Sequence, residues 1–190
     1  MLRDGGRKII SFPIAGNIVG LRSVLLRTAD HSFSALTDGV VNPVEGIHIT
    51  RCVTEYPRLG AALLWAASRD EAMVVEHLVN IGRRNAIERT AHFFMELAGR
   101  LSLIGLGTEA EFKCPLTQFV LADALGLTAI HVNRVLRQLR ELKLLTPQQG
   151  QSLHSRPGWT SQARRVSGRL FEFSRLASSD GSLTYVSRKH

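Results

Sequence analysis

Between residues 117 and 142 the chain reads TQFVLADALGLTAIHVNRVLRQLREL, two blocks of helical apolar spacing separated by a glycine. Leu121, Ala122 and Leu125 recur at the three- and four-residue steps of one buried face, which predicts a helix over 118–125. Gly126 ends it, because glycine adopts the left-handed backbone of a helix stop without steric cost. Thr128 is placed to cap a second helix by accepting from the free N–H groups of its first turn. In that helix, over 129–142, Val132, Val135, Leu136 and Leu139 form the apolar stripe. Ile130, His131, Asn133, Arg134, Arg137 and Gln138 point outward. A short helix, a tight glycine turn and a longer basic helix form the layout of a DNA-reading helix-turn-helix. The same pattern fits an ordinary helical corner, so spacing alone leaves both readings open.

Upstream, helical periodicity begins at Leu59 and persists for about 25 residues. Leu64, Ala67, Glu71, Val74, Leu78 and Ile81 follow alternating three- and four-residue steps, a heptad seam with one polar member. So narrow a stripe asks for a partner helix, and a symmetric dimer supplies one by setting the seam against itself. A helix packed on its own β-domain is the alternative. Gly82-Arg83-Arg84 then breaks the pattern, and Asn85-Ala86-Ile87-Glu88 is a capping box that opens the next helix. This makes 82–85 a hinge. The next helix runs to about Leu103 and buries Ile87, Ala91, Phe94, Leu97, Ala98 and Leu101, with His92 as a hydrogen-bonded flank. A short strand over 112–115 is expected to lead into Thr117.

The first 58 residues read as β-rich. Asp4-Gly5-Gly6 is a hairpin-turn signal, 8–12 a short strand, and 18–19, 33–36 and 40–41 are short apolar runs. The strand that would pair with 8–12 falls before Met1, so this segment reads as part of a β-structure without its beginning. Short strands over 58 residues bury little core and are marginal alone. Beyond Leu145 the periodicity fades into Ser, Arg, Gly and Gln, which predicts a basic, irregular tail over 151–190, with at most one short helix over 164–176.

Charge sharpens this division. Residues 1–125 hold 13 Lys/Arg against 13 Asp/Glu, whereas 126–190 hold 11 against Glu141, Glu172 and Asp180, which accounts for the whole net charge of +8. A basic half joined to a neutral one points to a polyanion, most often nucleic acid. No apolar run approaches 18 residues and the charged N-terminus leads into no signal-peptide core, so no membrane partner and a cytoplasmic location are expected. Cys52 and Cys114 stand outside metal-ligand spacing, and the seven histidines do not cluster with ligands, so neither a metal nor a cofactor is expected. No nucleophile elbow, zinc-protease, phosphate-loop or dinucleotide signature is present, and nothing favours an enzyme.

Three stretches carry a resemblance: FPIAGNIVGLRSVLLRTADHSFSALTD over 12–38, EHLVNIGRRNAIERTAHFFMELAGRL over 76–101, and LTQFVLADALGLTAIHVNRVLRQLRELKLL over 116–145. In these, and in element order, the chain from about Leu2 to Leu145 resembles the Crp/Fnr family of bacterial transcription regulators. The resemblance implies an α+β architecture: a partial, jelly-roll β-roll like a cyclic-nucleotide-binding domain over 1–58, a dimerisation helix and hinge over 59–84, and a winged helix-turn-helix domain over 85–150. It implies double-stranded DNA and a second copy of the chain as partners. Base-contacting positions of the family fall at Ala129, Ile130, Asn133 and Arg134, with Arg134 matching its guanine-reading arginine, whose planar fork suits bidentate contact. Where the family often has glutamate this chain has Ile130, which fits a thymine methyl. Thr117, Gln118, Thr128 and His131 fall at backbone-contacting positions, with Arg137 and Gln138 flanking.

Three departures accompany the resemblance. The family's roll begins some tens of residues earlier. Its cyclic-nucleotide ligands, a Gly-Glu pair and an Arg-Ser pair, correspond here to Gly16-Asn17 and His31-Ser32, which lack the charges that complement a cyclic phosphate. Cyclic-nucleotide binding is therefore not expected, nor are the cysteines of the iron–sulfur variants present. The third departure is the wing: a β-hairpin should follow Leu145, and 146–190 do not resemble one. The leading reading is a homodimeric regulator of palindromic operators; the rival is a truncated interaction partner that heterodimerises with an intact relative through 64–81.

Overall fold

The computed structural model describes residues 7–26, 31–108, 111–142, 144–148 and 152–154. In chain order the elements are α1 (Leu21–Leu26), α2 (Gly46–Glu55), α3 (Pro57–Arg83), α4 (Ala86–Leu103), β1 (Glu111–Lys113), α5 (Gln118–Leu125), α6 (Ala129–Glu141), β2 (Thr146–Gln148) and β3 (Ser152–His154). The three strands form one antiparallel sheet in the order β1-β3-β2.

The core gathers around α4. Ala91, Phe94, Leu97, Ala98 and Leu101 lie on the face expected from their spacing, and Met95 joins them. They pack against Leu121, Ala122 and Leu125 of α5, Val132, Val135, Leu136 and Leu139 of α6, Phe112 of β1, and Leu144 and Leu145. Ile87 is half-buried against the same cluster. The capping box is complete: Glu88 N donates to Asn85 Oδ1 at 3.0 Å, and Asn85 N donates to the Glu88 carboxylate at 3.0 Å. The two orphan donors that open α4 are thereby satisfied.

Helix α3 starts with Pro57 in its first turn, where a missing N–H costs nothing, and runs 27 residues. It continues through Gly82, and the chain becomes extended only at Arg84 (φ −93°, ψ 142°). The break between α3 and α4 is therefore Arg84–Asn85, narrower than the 82–85 expected, because one glycine does not break a helix whose remaining backbone bonds are intact. Three side chains close this joint. Asn80 is buried, its oxygen accepts from Arg84 Nη1, and its Nδ2 faces His92 Nδ1 at 2.8 Å. Arg84 can only donate, so the amide must present its N–H to His92, and His92 must be neutral with its proton on Nε2. One turn away, His77 Nε2 meets Glu96 at 2.8 Å, and Glu96 also takes Arg100 at 3.4 Å.

The joint predicts a pH dependence. Burial, followed by the positive charge of Arg84, lowers the His92 pKa from 6.5 to about 4. The unfolded chain thus binds more protons than the folded one between these values, and stability falls as pH drops from 6.5 towards 4, by up to about 3 kcal/mol. His77 has the opposite sign. Its hydrogen bond to Glu96 raises its pKa, so its contribution is complete below 6.5 and is lost as pH rises through the raised value. Burial opposes ionisation of Glu96, but His77 and Arg100 hold its pKa below the usual carboxylate range. Urea midpoints measured from pH 7 to 4 should decline in the natural chain and flatten in His92→Gln. An unchanged slope in that variant would show that His92 is not the group responsible.

Residues 7–58 depart most from the expected architecture. Among those described there is no strand, so neither the β-roll nor the strand over 8–12 forms; the turn at Asp4 lies outside the described residues. A strand is held by ladder partners, and apolar runs of two residues such as 18–19 and 40–41 offer no face to pair across. The 46–55 segment, inside the stretch read as β-rich, is instead helical. Its Gly46, Ile49 and Cys52, each three apart, are the half-buried positions of α2, which lies against α3. Gly60 permits that approach: a Cβ there would sit 3.2 Å from Val53 Cα.

In place of a strand, residues 7–17 form a strap over the helical domain. Arg7 pairs with Asp123 at 2.6 Å, Ile9 N donates to Asp123 O at 3.3 Å, and Lys8 Nζ donates to Ala124 O at 2.8 Å. Arg100 holds the other end by donating to Phe12 O (2.7 Å) and Asn17 Oδ1 (3.0 Å). Between these anchors Phe12 meets Phe93 edge-on at 5.4 Å, and Ile14 packs on the core. Asn17, which the resemblance sets at the position of the family's ribose-binding glutamate, accepts from Ile14 N and Arg100.

Candidate nucleic-acid interface

The second and third helices of the compact C-terminal unit are built as their spacing dictates. Thr117 caps α5, its hydroxyl oxygen accepting from Val120 N at 3.2 Å, and Thr128 caps α6 by accepting from His131 N at 3.2 Å. Gly126 adopts φ 67°, ψ 40°, the left-handed stop. Across it the axes of α5 and α6 turn by 99°, within the range of a helix-turn-helix. Leu121, Ala122 and Leu125, with Val132, Val135, Leu136 and Leu139, are all buried and fix α6 rigidly from behind.

The opposite face of α6 is open. Ile130 is 85% exposed, and Asn133, Arg134, Arg137 and Gln138 are exposed with it. Ile130, Asn133 and Arg134 occupy the first two turns at three- and four-residue steps, so they project from one side. Two expected residues are less available. Ala129 is half-buried against the core, and His131 is half-buried beside it. Thr117, Gln118 and Thr128 are exposed at the starts of α5 and α6. Each capping hydroxyl uses an acceptor lone pair, which leaves its O–H to donate outward, next to the positive end of a helix. This combination suits an anionic oxygen.

The wing is the clearest correction to the sequence reading. A hairpin follows Leu145 directly: β2 pairs with β3 in the register Thr146↔His154, Pro147↔Leu153, Gln148↔Ser152. β1 adds on the outer side of β3, with Phe112 opposite Leu153. The irregular tail expected from 151 thus contributes a strand at Ser152–His154, while 155–190, including the helix expected over 164–176, lie outside the described residues. The signal was present: two three-residue strands are joined by a three-residue link with Gly150 at its centre. Strands this short carry no alternation to detect.

The seam on α3 stands away from this interface. Leu64, Ala67, Glu71, Val74, Leu78 and Ile81 are all exposed, Leu64 by 68% and Leu78 by 65%. The face that α3 turns to the rest of the chain carries Leu63 and Asn80 instead. No β-domain covers the seam among the described residues. Nor do those residues hold a cluster of three or more His, Cys, Asp or Glu able to bind a metal, and no single helix is long and apolar enough to cross a membrane.

Residues 88–156 match the Crp-like helix-turn-helix domain. Over 145 residues, 76% of its length, the chain is 32% identical to the nitrogen fixation regulation protein FixK of Rhizobium meliloti, and covers 62% of that protein. It is 30% identical over 141 residues to FixK of Bradyrhizobium diazoefficiens, covering 57% of it. A transcriptional activatory protein, AadR of Rhodopseudomonas palustris, is 28% identical over 147 residues. The chain thus spans about three fifths of the length of the relatives it matches. Among solved structures, FixK2 from Bradyrhizobium japonicum superposes with a TM-score of 0.57 at 20% identity, over 67% of this chain and 61% of that one. A variant of CooA from Carboxydothermus hydrogenoformans gives 0.52 at 16% identity, over 64% and 55%.

Proposed function

Since the chain belongs to the Crp/Fnr family of transcription regulators, we propose that it is a cytoplasmic, sequence-specific DNA-binding regulator that grips palindromic operators as a homodimer. The observation that carries this reading is the open face of α6, with Ile130, Asn133 and Arg134 held on a buried apolar base. Arg134 reads a guanine edge through its fork, Asn133 an adenine edge or a phosphate, and Ile130 a thymine methyl. Thr117, Gln118, Thr128 and His131 take the flanking phosphates, with Arg137 and Gln138 further along the helix; such contacts set register rather than sequence. Ala129, set back against the core, allows close approach. Two α6 helices enter successive major grooves about 34–36 Å apart. Selection of bound sequences from a random DNA pool tests the reading, and recovery of no consensus would sink it.

The homodimer is proposed on the exposed seam of α3. Leu78→Glu places a carboxylate on a self-facing apolar stripe, where two copies repel and lose their water. Sedimentation at micromolar concentration is expected to find the natural chain dimeric and the variant monomeric. Palindromic operator binding should then fall to the level of a single half-site. A monomeric natural chain would instead favour the reading as a partner that pairs with a longer relative through 64–81.

A further inference from the structure

At the junction of α3, α4 and α5, one side chain holds the ends of two helices at once. Arg89 lies in the first turn and a half of α4, and its guanidinium donates in two directions. On one side Nε reaches Asn80 O at 3.2 Å and Nη2 reaches Ile81 O at 3.1 Å and Arg84 O at 3.3 Å. These are carbonyls of the last turn and cap of α3. On the other side Nη1 reaches Leu125 O at 2.9 Å, in the final residue of α5. Helix C-termini present unsatisfied carbonyls and a partial negative charge, so a cation there meets both needs. A rigid planar fork serves separated acceptors simultaneously, whereas an ammonium is a single point.

We propose that Arg89 is the positioning residue that locks the α5–α6 pair to the end of α3, so that the attitude of α3 is transmitted to the DNA-reading face. Its consequence for DNA rests on the reading of α6 given above; the mechanical part does not. The geometry makes the lock matter. α6 is about 20 Å long, and over such a lever a rotation of about 10° moves the tip by about 3.5 Å, close to one base-pair step. Core packing limits how far α5 can move against α4, but the described bonds that tie α5 to the end of α3 run through this guanidinium.

The test measures the angle first and DNA second. Spin labels at Ser68→Cys on α3 and Gln138→Cys on α6, both exposed positions, go into a Cys52→Ser background. Dilution with unlabelled full-length chain isolates the distance within one subunit. The natural Arg89 should give one narrow distance distribution. Arg89→Lys, which keeps the charge and the fold but not the fork, should broaden or shift it, and Arg89→Ala more so. A distribution in Arg89→Lys and Arg89→Ala that superimposes on the natural one overturns the inference, whatever the chain binds. The second readout uses palindromes whose half-site separation changes one base pair at a time. The natural chain should favour one separation, and Arg89→Lys should lose about tenfold of that preference while recognising the same half-site bases. A merely structural role would lower affinity at every separation alike and overturn the inference. A natural chain that binds no palindrome refutes the proposed function instead, and the distance measurement still decides Arg89.

Discussion

Arg134→Ala should abolish discrimination at one base pair in each half-site, at a cost of about 1–3 kcal/mol per contact. On a palindrome the contact occurs twice and the two copies are far apart, so the penalties add to about 2–6 kcal/mol. The expectation rests on position and exposure. Arg134 lies in the second turn of α6, its backbone is held by the buried neighbours Val132 and Val135, and its side chain is exposed. Loss of Arg137 should look different, lowering affinity evenly across sequences and reducing the salt slope by about one. Anisotropy titrations on the selected operator, on its single-base variants and on random duplex separate the two. Equal weakening of specific and random DNA by Arg134→Ala would assign that arginine to the phosphates.

Phe94→Ala should be the most damaging truncation for folding, costing about 3–5 kcal/mol through lost transfer energy and the cavity left behind. Phe94 is 1% exposed and meets Phe93 at 5.5 Å, which in turn meets Phe12 of the strap. That loss is comparable with the whole stability of many small domains. Phe119, 72% exposed at the start of α5, supplies the control, and its replacement by alanine should change the urea midpoint little. A Phe94→Ala midpoint indistinguishable from the control would mean that the α4 cluster is not the core.

Legibility followed the length of the repeating pattern. From 86 to 141 the helices, their caps and their buried faces were readable, because α4 and α6 repeat the signal that burial imposes over three turns or more, and the two-turn α5 is marked at both ends by Thr117 and Gly126. Asn85, Glu88, Thr117, Gly126 and Thr128 also occupy the positions where capping chemistry is local. The same holds for the exposed face of α6, which follows from the apolar stripe by subtraction. The reading failed where structure is set by distant partners. The half-buried positions of α2 are spaced by three, yet the segment falls within the first 58 residues, which read as β-rich as a whole. The strap's fixings join residues more than 80 positions apart, and no local window contains them. Arg89 was missed for a related reason: its acceptors are backbone carbonyls, which no sequence distinguishes.

The strap also constrains the order in which the chain acquires its structure. Closing Arg7 onto Asp123 spans 116 positions, whereas the contacts among α4, α5 and α6 are nearly local. Loop-closure entropy favours the local contacts first, which predicts that the helical unit forms early and the strap docks afterwards, although the strap precedes it along the chain. Interactions made after the transition state govern unfolding rather than folding. The Phe12–Phe93 contact, and to a smaller extent the exposed salt bridge at Asp123, are therefore expected to act as a latch on lifetime: weakening them should shorten how long the native chain persists and leave the speed at which it forms almost untouched.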